Sequence, residues 1–286
     1  MKEIRDIDLS AWTKVGEGGN GSAYENPAEP DKILKVNKAG INTLAFVSHE
    51  YEVSKAVERL GVQTPKMYEM VRVGDAYATL SQRIRGKKSL SRICCDEAQR
   101  TEEMARVLCE YGRKLFSTPC DTSVFPSRKA QLKSGLDKVR FVRKRDLAEI
   151  EAFALTVPEV ETCIHGDFNT GNLIFSEGAY YWIDLDRFGY GDPMFDIGHL
   201  FQICNVYAPM KRVQDIFHMS EDQLRLFWDA FARAYTGKDD HAEFDRLAGK
   251  FACLDMILRY EFQEPSLPEK IFFAIHIRRL VRSYFL

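Results

Sequence analysis

The sequence HGDFNTGN at residues 165–172, with the sequence YWIDLD at residues 181–186, decides how this chain is interpreted. The first stretch places Asp167 and Asn172 in an H-x-D-x-x-x-x-N pattern, and the second ends an apolar run at Asp184. Short β-like segments around a glycine turn connect the two stretches, which predicts a hairpin. The hairpin is expected to bring the second carboxylate back beside the amide.

This arrangement of oxygen-bearing side chains is typical of phosphoryl-transfer sites. In such a site Asp167 orients an acceptor hydroxyl and accepts its proton, while Asn172 and Asp184 hold Mg²⁺ between the β and γ phosphates of a nucleotide. His165 is interpreted as a structural residue that fixes the loop through its ring nitrogens. A role for His165 as general acid is the alternative.

A glycine-rich stretch near the N-terminus fits the pattern G-x-G-x-x-G through Gly16, Gly18 and Gly21. The pattern alone also fits a tight turn. A β-like segment follows it where a dinucleotide-binding fold needs a helix, and Ser22 stands where a P-loop needs lysine. The remaining interpretation is a kinase-type loop between two antiparallel strands, whose backbone N–H groups cover phosphates.

Lys35 and Glu50 are predicted to form the ion pair that binds the α and β phosphates. Lys35 lies on a β-like segment between two apolar neighbours, as expected for a lysine that points inward. Glu50 falls on the apolar side of a predicted helix at residues 41–60. That side is predicted from the spacing of Phe46, Val53, Val57 and Leu60.

The order of the predicted elements indicates an α+β protein, because strands come first and helices follow in a block. Residues 11–81 read as an antiparallel sheet of about five strands with one helix. Most of the chain after residue 90 has helical periodicity. We therefore expect two lobes: a nucleotide-binding lobe at residues 1–86, and a catalytic and acceptor-binding lobe at residues 87–286.

The composition sets limits on the compartment and the partners. The formal net charge is −2, from 40 basic and 42 acidic residues, which favours neither a nucleic-acid nor a membrane partner. The seven cysteines form no C-x-x-C pair, as expected in a reducing cytoplasm. No stretch has the length and apolarity of a membrane span or a signal peptide. The sequence makes no prediction about the oligomeric state.

These motifs resemble those of the aminoglycoside phosphotransferase and choline kinase-like family, a branch of the protein-kinase-like fold. The resemblance rests on residues 165–172, on Ile183 and Asp184, and on the sequence GDPMFDI at residues 191–197. It covers residues 12–200. It implies a bilobal fold, ATP or GTP with Mg²⁺, and transfer to a hydroxyl of a small molecule such as an aminoglycoside, a choline-like amino alcohol or a related metabolite.

Departures from protein kinases favour a small acceptor. Gly166 stands where the resemblance to protein kinases would place arginine, and Leu185-Asp186 replaces Phe-Gly. Eleven residues separate Asp184 from Asp196, too few for a long activation loop. An atypical protein Ser/Thr kinase and a catalytically silent nucleotide-binding regulatory module are the alternatives.

Two further interpretations concern the second half of the chain. Asp196 is interpreted as a helix N-cap, with a bond to the loop at residues 165–172 as the alternative. Residues 200–286 are expected to determine acceptor specificity, but they offer opposite chemistries, and each side chain also has an ordinary solvated or core interpretation. The candidates are Asp255, Glu261 and Glu264 for a cationic group, Trp228, Tyr260 and Phe262 for a cation-π wall, and Arg278, Arg279 and Arg282 for an acidic group.

Overall fold

The computed structural model describes residues 4–17, 21–262 and 266–286, without the side chains of residues 260–262. Two compact units are present. The first is drawn from Met1–Lys88 and Ile174–Asp186, and the second from Ser89–Leu173 and Arg187–Leu286.

The first unit contains a six-stranded sheet in the order β1-β5-β6-β4-β3-β2. All neighbouring pairs are antiparallel except β1 and β5, which are parallel. The strands are β1 (Arg5–Asp6), β2 (Thr13–Glu17), β3 (Gly21–Glu25), β4 (Lys32–Asn37), β5 (Met67–Val73) and β6 (Ala76–Gln82).

The prediction of about five strands is wrong by one, because it missed β1. This strand has only two residues, both charged, so no apolar alternation marks it in the sequence. It is held at the sheet edge by neighbouring contacts. Arg72 binds the Asp6 carboxylate at 2.5 and 2.8 Å, and Ile7 is buried in the core beneath the sheet.

Helix α1 (Leu44–Arg59) packs near the sheet and begins at Thr43, whose side chain accepts a hydrogen bond from the N–H of Phe46. Its buried residues are Val47, Ala56 and Val57. The prediction that Phe46 lies on the buried side of the helix is therefore wrong, because Phe46 is 40 % exposed and its neighbour Val47 is buried instead. The prediction is correct for Val57, which is buried near the C-terminal end of the helix.

The predicted hairpin after residue 172 is present as β9 (Leu173–Ser176) and β10 (Ala179–Trp182). Its two-residue turn has positive φ at both positions, Glu177 at 48° and Gly178 at 84°, which suits a tight hairpin. Contacts within the first unit hold it: the N–H of Trp182 donates to the carbonyl of Gln63 at 2.9 Å. Asp184 lies two residues after the end of β10 at Trp182.

The second unit is mainly helical. A short strand, β7 (Lys88–Ser89), has Lys88 in the first unit and Ser89 in the second. Within the second unit, a two-stranded antiparallel pair is formed by β8 (Cys163–Ile164) and β11 (Gly189–Tyr190). No helix in the part of the chain that the structure describes is long and apolar enough to cross a membrane. The helices are α2 (Leu90–Asp96), α3 (Thr101–Phe116), α4 (Arg128–Lys138), α5 (Lys144–Thr156), α6 (Met194–Phe201), α7 (Lys211–Phe217), α8 (Glu221–Thr236), α9 (Ala242–Phe262) and α10 (Leu267–Tyr284).

Helices α6 and α9 approach each other closely at Gly198. A Cβ atom at this position would lie 2.5 Å from Cβ of Phe251 and 2.8 Å from the backbone nitrogen of Ala252, so only glycine fits. Phe195 packs edge-on against Phe251 in the same interface, with ring centroids 5.2 Å apart. The close approach brings polar side chains of the two helices within hydrogen-bonding distance, as described next.

Candidate active site

One buried carboxylate ties the loop at residues 165–172 to helix α6. Asp196 is 1 % exposed and accepts hydrogen bonds from the backbone N–H of His165 at 2.6 Å and of Gly166 at 2.8 Å. Burial raises the pKa of Asp196 to about 6, although both N–H donors favour the ionised form. The carboxylate therefore fixes the start of the loop against the helix.

The N-cap role that we predicted for Asp196 is wrong, and the alternative, a bond to the loop, is the contact observed. Pro193 occupies the cap position of α6, and Asp192 accepts the hydrogen bond from the N–H of Met194. Asp196 lies in the first turn of the helix, where its side chain points inward. Both aspartates stand near a helix start in the sequence, so position alone did not distinguish them.

The middle of the loop is anchored by an aromatic side chain. Phe168 is fully buried, with ring centroids 5.3 Å from Phe116 and 6.1 Å from Phe231. The Oδ1 atom of Asn169 accepts a hydrogen bond from the N–H of Gly171 at 2.8 Å, which closes a local turn. The loop is thus held at its centre as well as at its start.

Asp167 and Asn172 are in direct contact at the end of this loop. The Asn172 amide nitrogen donates to Oδ2 of Asp167 at 2.9 Å and to the Asp167 carbonyl at 2.8 Å. His165 is fully buried, and its Nδ1 accepts the N–H of Asp167 at 3.3 Å, as expected for a residue that fixes the loop. The side chain of Asp167 is 26 % exposed, so a ligand can reach it.

The other oxygen of Asp167 is held by a residue that our sequence analysis missed, His199 of helix α6. Its Nε2 lies 2.9 Å from Oδ1 of Asp167, and its Nδ1 lies 3.0 Å from Oδ2 of Asp255 on α9. The His199 side chain is only 4 % exposed and that of Asp255 is 13 % exposed. A histidine therefore bridges the predicted base and a second, deeply placed carboxylate.

The electrostatics of these three groups favour the charged form of each. Burial alone would lower the pKa of His199, but the charge of Asp255 and the hydrogen bond to Asp167 raise it to about 9. Burial alone would raise the pKa of Asp167, but the hydrogen bond from His199 and its charge move it well below the ordinary range. The charge of His199 likewise lowers the pKa of Asp255 against the effect of burial.

This arrangement makes stability depend on pH above neutrality. Because the pKa of His199 is about 9 in the folded chain against 6.5 for an ordinary histidine, its contribution to stability is complete below pH 6.5 and is lost as the pH rises through about 9. We expect the free energy of unfolding to fall between pH 6.5 and 8.5 more steeply in the wild type than in His199→Gln. Urea unfolding across that range tests this, and parallel pH profiles would contradict it.

The first unit contains the predicted ion pair between β4 and α1. The Lys35 ammonium lies 2.6 Å from Oε1 of Glu50, and the Asn37 amide donates to Oε2 at 3.3 Å. The Glu50 side chain is 20 % exposed and that of Lys35 is 40 % exposed. Glu50 thus holds the lysine in one position while the ammonium stays accessible. The role of the pair toward phosphates stays a prediction.

Two of the three predicted loop glycines lie in described strands. Gly16 is in β2 and Gly21 starts β3, and the two strands pair antiparallel as predicted. A Cβ atom at Gly21 would overlap the carbonyl oxygen of Val36 on β4, so close strand packing requires this glycine. Gly18 lies outside the described residues, and the phosphate contacts of the loop stay a prediction.

Asp184 lies in the first unit, at the end of the hairpin, with a positive φ of 63°. This conformation is uncommon for a residue other than glycine and recurs at functional positions. Asp167 and Asn172 lie in the second unit. That the hairpin brings Asn172 and Asp184 together stays a prediction.

The chemistry of these donors fits Mg²⁺. The Asn172 nitrogen donates to Asp167, so the amide oxygen is the atom that would face a cation, and Asp184 would contribute a carboxylate oxygen. Among the described residues no group of three or more His, Cys, Asp or Glu side chains could hold a metal ion. Mg²⁺ bound with a nucleotide needs no such group, because phosphates and water provide most of its ligands.

The sequence does carry a signal for His199. Helix α6 is apolar apart from Asp196 and His199, which are three residues apart and so share one side of the helix. Two buried polar residues on one side indicate contact with a polar partner. The partner Asp255 is likewise the single charged residue in the apolar stretch of residues 251–258. The sequence does not show that the two side chains meet, because 56 residues separate them.

The candidate acceptor residues have mixed outcomes. Asp255 is bound to His199, and Trp228 is 2 % exposed, with its ring nitrogen donating to Asp245 at 2.9 Å. The core interpretation of Trp228 is therefore correct. The arginines at 278, 279 and 282 are exposed on α10. The side chains of Tyr260, Glu261 and Phe262, and all of Glu264, lie outside the described part of the chain.

Most of the chain matches the sequence model of one protein family. Residues 15–248 match the phosphotransferase enzyme family. A search of curated protein sequences found no match to this chain. The family match therefore covers both the predicted nucleotide loop and the loop at residues 165–172.

Several phosphotransferases of known structure share the fold. The aminoglycoside phosphotransferase APH(4)-Ia is 15 % identical, with a TM-score of 0.64 over 96 % of this chain and 94 % of that chain. A choline/ethanolamine kinase family protein from Mesorhizobium loti is 15 % identical, with a TM-score of 0.59 over 94 % and 87 %. The amicoumacin kinase hAmiN is 14 % identical, with a TM-score of 0.58 over 98 % and 90 %. The predicted α+β, protein-kinase-like fold is confirmed.

Proposed function

Because the chain belongs to the phosphotransferase enzyme family, we propose that it transfers the γ-phosphate of ATP to a hydroxyl group of a small molecule. The proposed acceptor is an aminoglycoside, a choline-like amino alcohol or a related metabolite. The observation that carries this proposal is the contact of Asp167 with Asn172 on an anchored loop. GTP is the alternative donor.

Asp167 is the proposed base. One of its carboxylate oxygens binds the acceptor hydroxyl and takes its proton, while the hydroxyl oxygen bonds to the γ-phosphorus and the bond to the β-phosphate oxygen breaks. The products are a phosphate ester and ADP, with the proton on Asp167. Since phosphoryl transfer proceeds through a loose transition state, orientation of the hydroxyl matters more than strong basicity.

The remaining predicted residues bind the nucleotide. Lys35, held by Glu50, would bind the α and β phosphates, and the backbone of the loop with Gly16, Gly18 and Gly21 would cover them. Asn172 and Asp184 would hold Mg²⁺. The ion would neutralise charge on the β and γ phosphates when bound. We assign nucleotide binding to residues 1–86, and catalysis with acceptor binding to residues 87–286.

Relatives support a small acceptor and an adenine nucleotide. APH(4)-Ia forms ternary complexes with ADP or AMP-PNP and hygromycin B. The amicoumacin kinase hAmiN forms a complex with AMP-PNP, Ca²⁺ and Ami. The eleven residues between Asp184 and Asp196 also argue against an atypical protein Ser/Thr kinase, because they leave little chain for a peptide platform.

Transfer of labelled γ-phosphate from Mg²⁺-ATP tests the proposal. The acceptors are pooled aminoglycosides, choline analogues, amino alcohols, sugars and a peptide mixture, with and without a chelator. We expect transfer to one small-molecule pool, dependent on the metal. Transfer to peptides alone would establish the protein kinase alternative. Nucleotide binding without transfer to any pool would favour the regulatory module.

Replacing Lys35 tests the nucleotide assignment. We expect Lys35→Ala to raise the KM for ATP about 10–100-fold, since a hydrogen bond to a charged group contributes about 1.5–3 kcal/mol. Lys32→Ala is the matched control, because Lys32 lies on the same strand and is also ion-paired, to Glu29 at 2.6 Å. Equal KM values for the two variants would remove Lys35 from the site.

A further inference from the structure

His199 lies between two carboxylates, and this geometry determines how many protons its ring nitrogens carry. An ionised carboxylate only accepts hydrogen bonds. The Nε2 atom faces Asp167 at 2.9 Å and the Nδ1 atom faces Asp255 at 3.0 Å. Both ring nitrogens must therefore carry a proton when both carboxylates are ionised, so the ring is an imidazolium with one donor for each partner.

The position of the ring is fixed by the fold. Gly198 allows α6 to approach α9 at Phe251 and Ala252, one turn before Asp255. Asp255 is itself close to a cation, with Nε of Arg259 3.8 Å from the oxygen that binds His199. An imidazole ring is rigid, so anchoring Nδ1 at Asp255 also sets the direction in which Nε2 points.

We propose that His199, anchored by Asp255, is a positioning residue that fixes the carboxylate of Asp167 for phosphoryl transfer. The inference rests on the proposed function, since it assumes that Asp167 binds the acceptor hydroxyl. Asp167 is held at Oδ1 by His199 and at Oδ2 by Asn172. Two donors on different elements leave the side chain one rotamer, and each oxygen keeps a free lone pair for the acceptor.

The chain offers a matched control in a second histidine of the same kind. His241 lies between Asp245, 2.9 Å from Nδ1, and Asp229, 3.0 Å from Nε2. Its side chain is 12 % exposed. Neither carboxylate has a role in the proposed site. His241→Gln therefore removes an equivalent pair of contacts without touching Asp167.

The kinetic test compares His199→Gln, Asp255→Asn and His241→Gln with the wild type, using the acceptor that the transfer assay identifies. We expect His199→Gln to lower kcat about 10–100-fold, since misplacement of a reacting group by about 1 Å costs about 10²-fold, with the KM for ATP unchanged. Asp255→Asn should lower kcat in the same way, and His241→Gln should not. Thermal unfolding measured on all four proteins separates loss of folding from loss of rate.

A spectroscopic test needs no acceptor. With ¹³C- and ¹⁵N-labelled histidine, the ring signals of His199 are assigned through its own bonds to the backbone of α6, which requires no variant at position 199. We expect both ring nitrogens to be protonated at pH 7 in the wild type, and the signals to shift in both Asp167→Asn and Asp255→Asn. A neutral His199 ring, or signals that do not respond to Asp167→Asn, would overturn the inference even if His199→Gln fails to fold.

The two tests separate the inference from the proposed function. If the wild type transfers phosphate and His199→Gln retains the kcat of His241→Gln, the positioning role is wrong and the proposed function stands. If the wild type transfers phosphate to no hydroxyl, the proposed function fails and the positioning role fails with it. The spectra then still decide whether His199 holds Asp167 as an imidazolium.

Discussion

Asp167→Asn is expected to lower kcat for phosphoryl transfer about 10²–10⁴-fold, the usual contribution of a general base. Asparagine keeps the size of the side chain and one oxygen that accepts the hydrogen bond from His199. It loses the acceptor for the Asn172 amide, whose second hydrogen bond, to the backbone carbonyl of residue 167, is kept. We therefore expect asparagine to disturb the fold less than alanine. Alanine would instead leave the buried imidazolium without one of its partners, which is strongly destabilising. The nucleotide contacts assigned to Lys35 are unchanged, so the affinity for ATP should stay the same.

Steady-state kinetics and nucleotide titration check this result together. Asp222→Asn is the control, since Asp222 is exposed in the first turn of α8 and has no role in the proposed site. We expect it to retain wild-type kcat and ATP affinity. Equal kcat for Asp167→Asn and the wild type would remove the base assignment, whereas a parallel loss of ATP binding would show that the substitution disturbs more than the transfer step.

Gly166→Ala is expected to lower the free energy of unfolding more than Gly237→Ala does. Gly166 has φ of 82°, and a Cβ atom there would overlap the carbonyl oxygen of Arg187 and the guanidinium of Arg128. That carbonyl accepts a hydrogen bond from Arg128 at 2.6 Å, so it is not free to move. Backbone strain costs about 1–2 kcal/mol and overpacking about 1–3 kcal/mol more. We expect a combined loss of about 2–5 kcal/mol, and loss of transfer as the loop shifts.

Gly237→Ala separates strain from overlap, because Gly237 has φ of 69° in the same unit but no atom within 4 Å of the added Cβ. It should lose only the strain contribution of about 1–2 kcal/mol and keep its activity. Chemical denaturation of both variants measures the difference. If the two substitutions cost the same free energy, the contact with Arg187 has no energetic importance.

The parts of the site that the sequence predicted are those set by local spacing. The contact between Asp167 and Asn172 spans five residues of one loop, so the H-x-D-x-x-x-x-N pattern was enough to predict it. The pair formed by Lys35 and Glu50 spans 15 residues. It was predicted because strand and helix periodicity each indicated an inward side chain.

The parts that the sequence did not predict depend on contacts between distant segments. His199 and Asp255 meet because two helices approach at one glycine, and helical periodicity does not indicate which helix packs against which. The first strand was missed for a related reason, because its two charged residues gain order from β5 and not from their own sequence. Asp196 was assigned the wrong partner because an aspartate at a helix start can accept hydrogen bonds either from the N–H groups of its own helix or from those of a neighbouring loop. The sequence does not distinguish the two.

The close contact of α6 with α9 at Gly198 also limits how this enzyme can be engineered. Under the proposed assignment of acceptor binding to residues 87–286, libraries for new acceptors would target the C-terminal helices. One turn of α9, from Phe251 to Asp255, touches Gly198 and holds His199. If His199 positions Asp167 as proposed, randomising this turn is expected to alter the turnover of every acceptor at once. Diversity is better introduced on the exposed surface of α10, which leaves that turn unchanged.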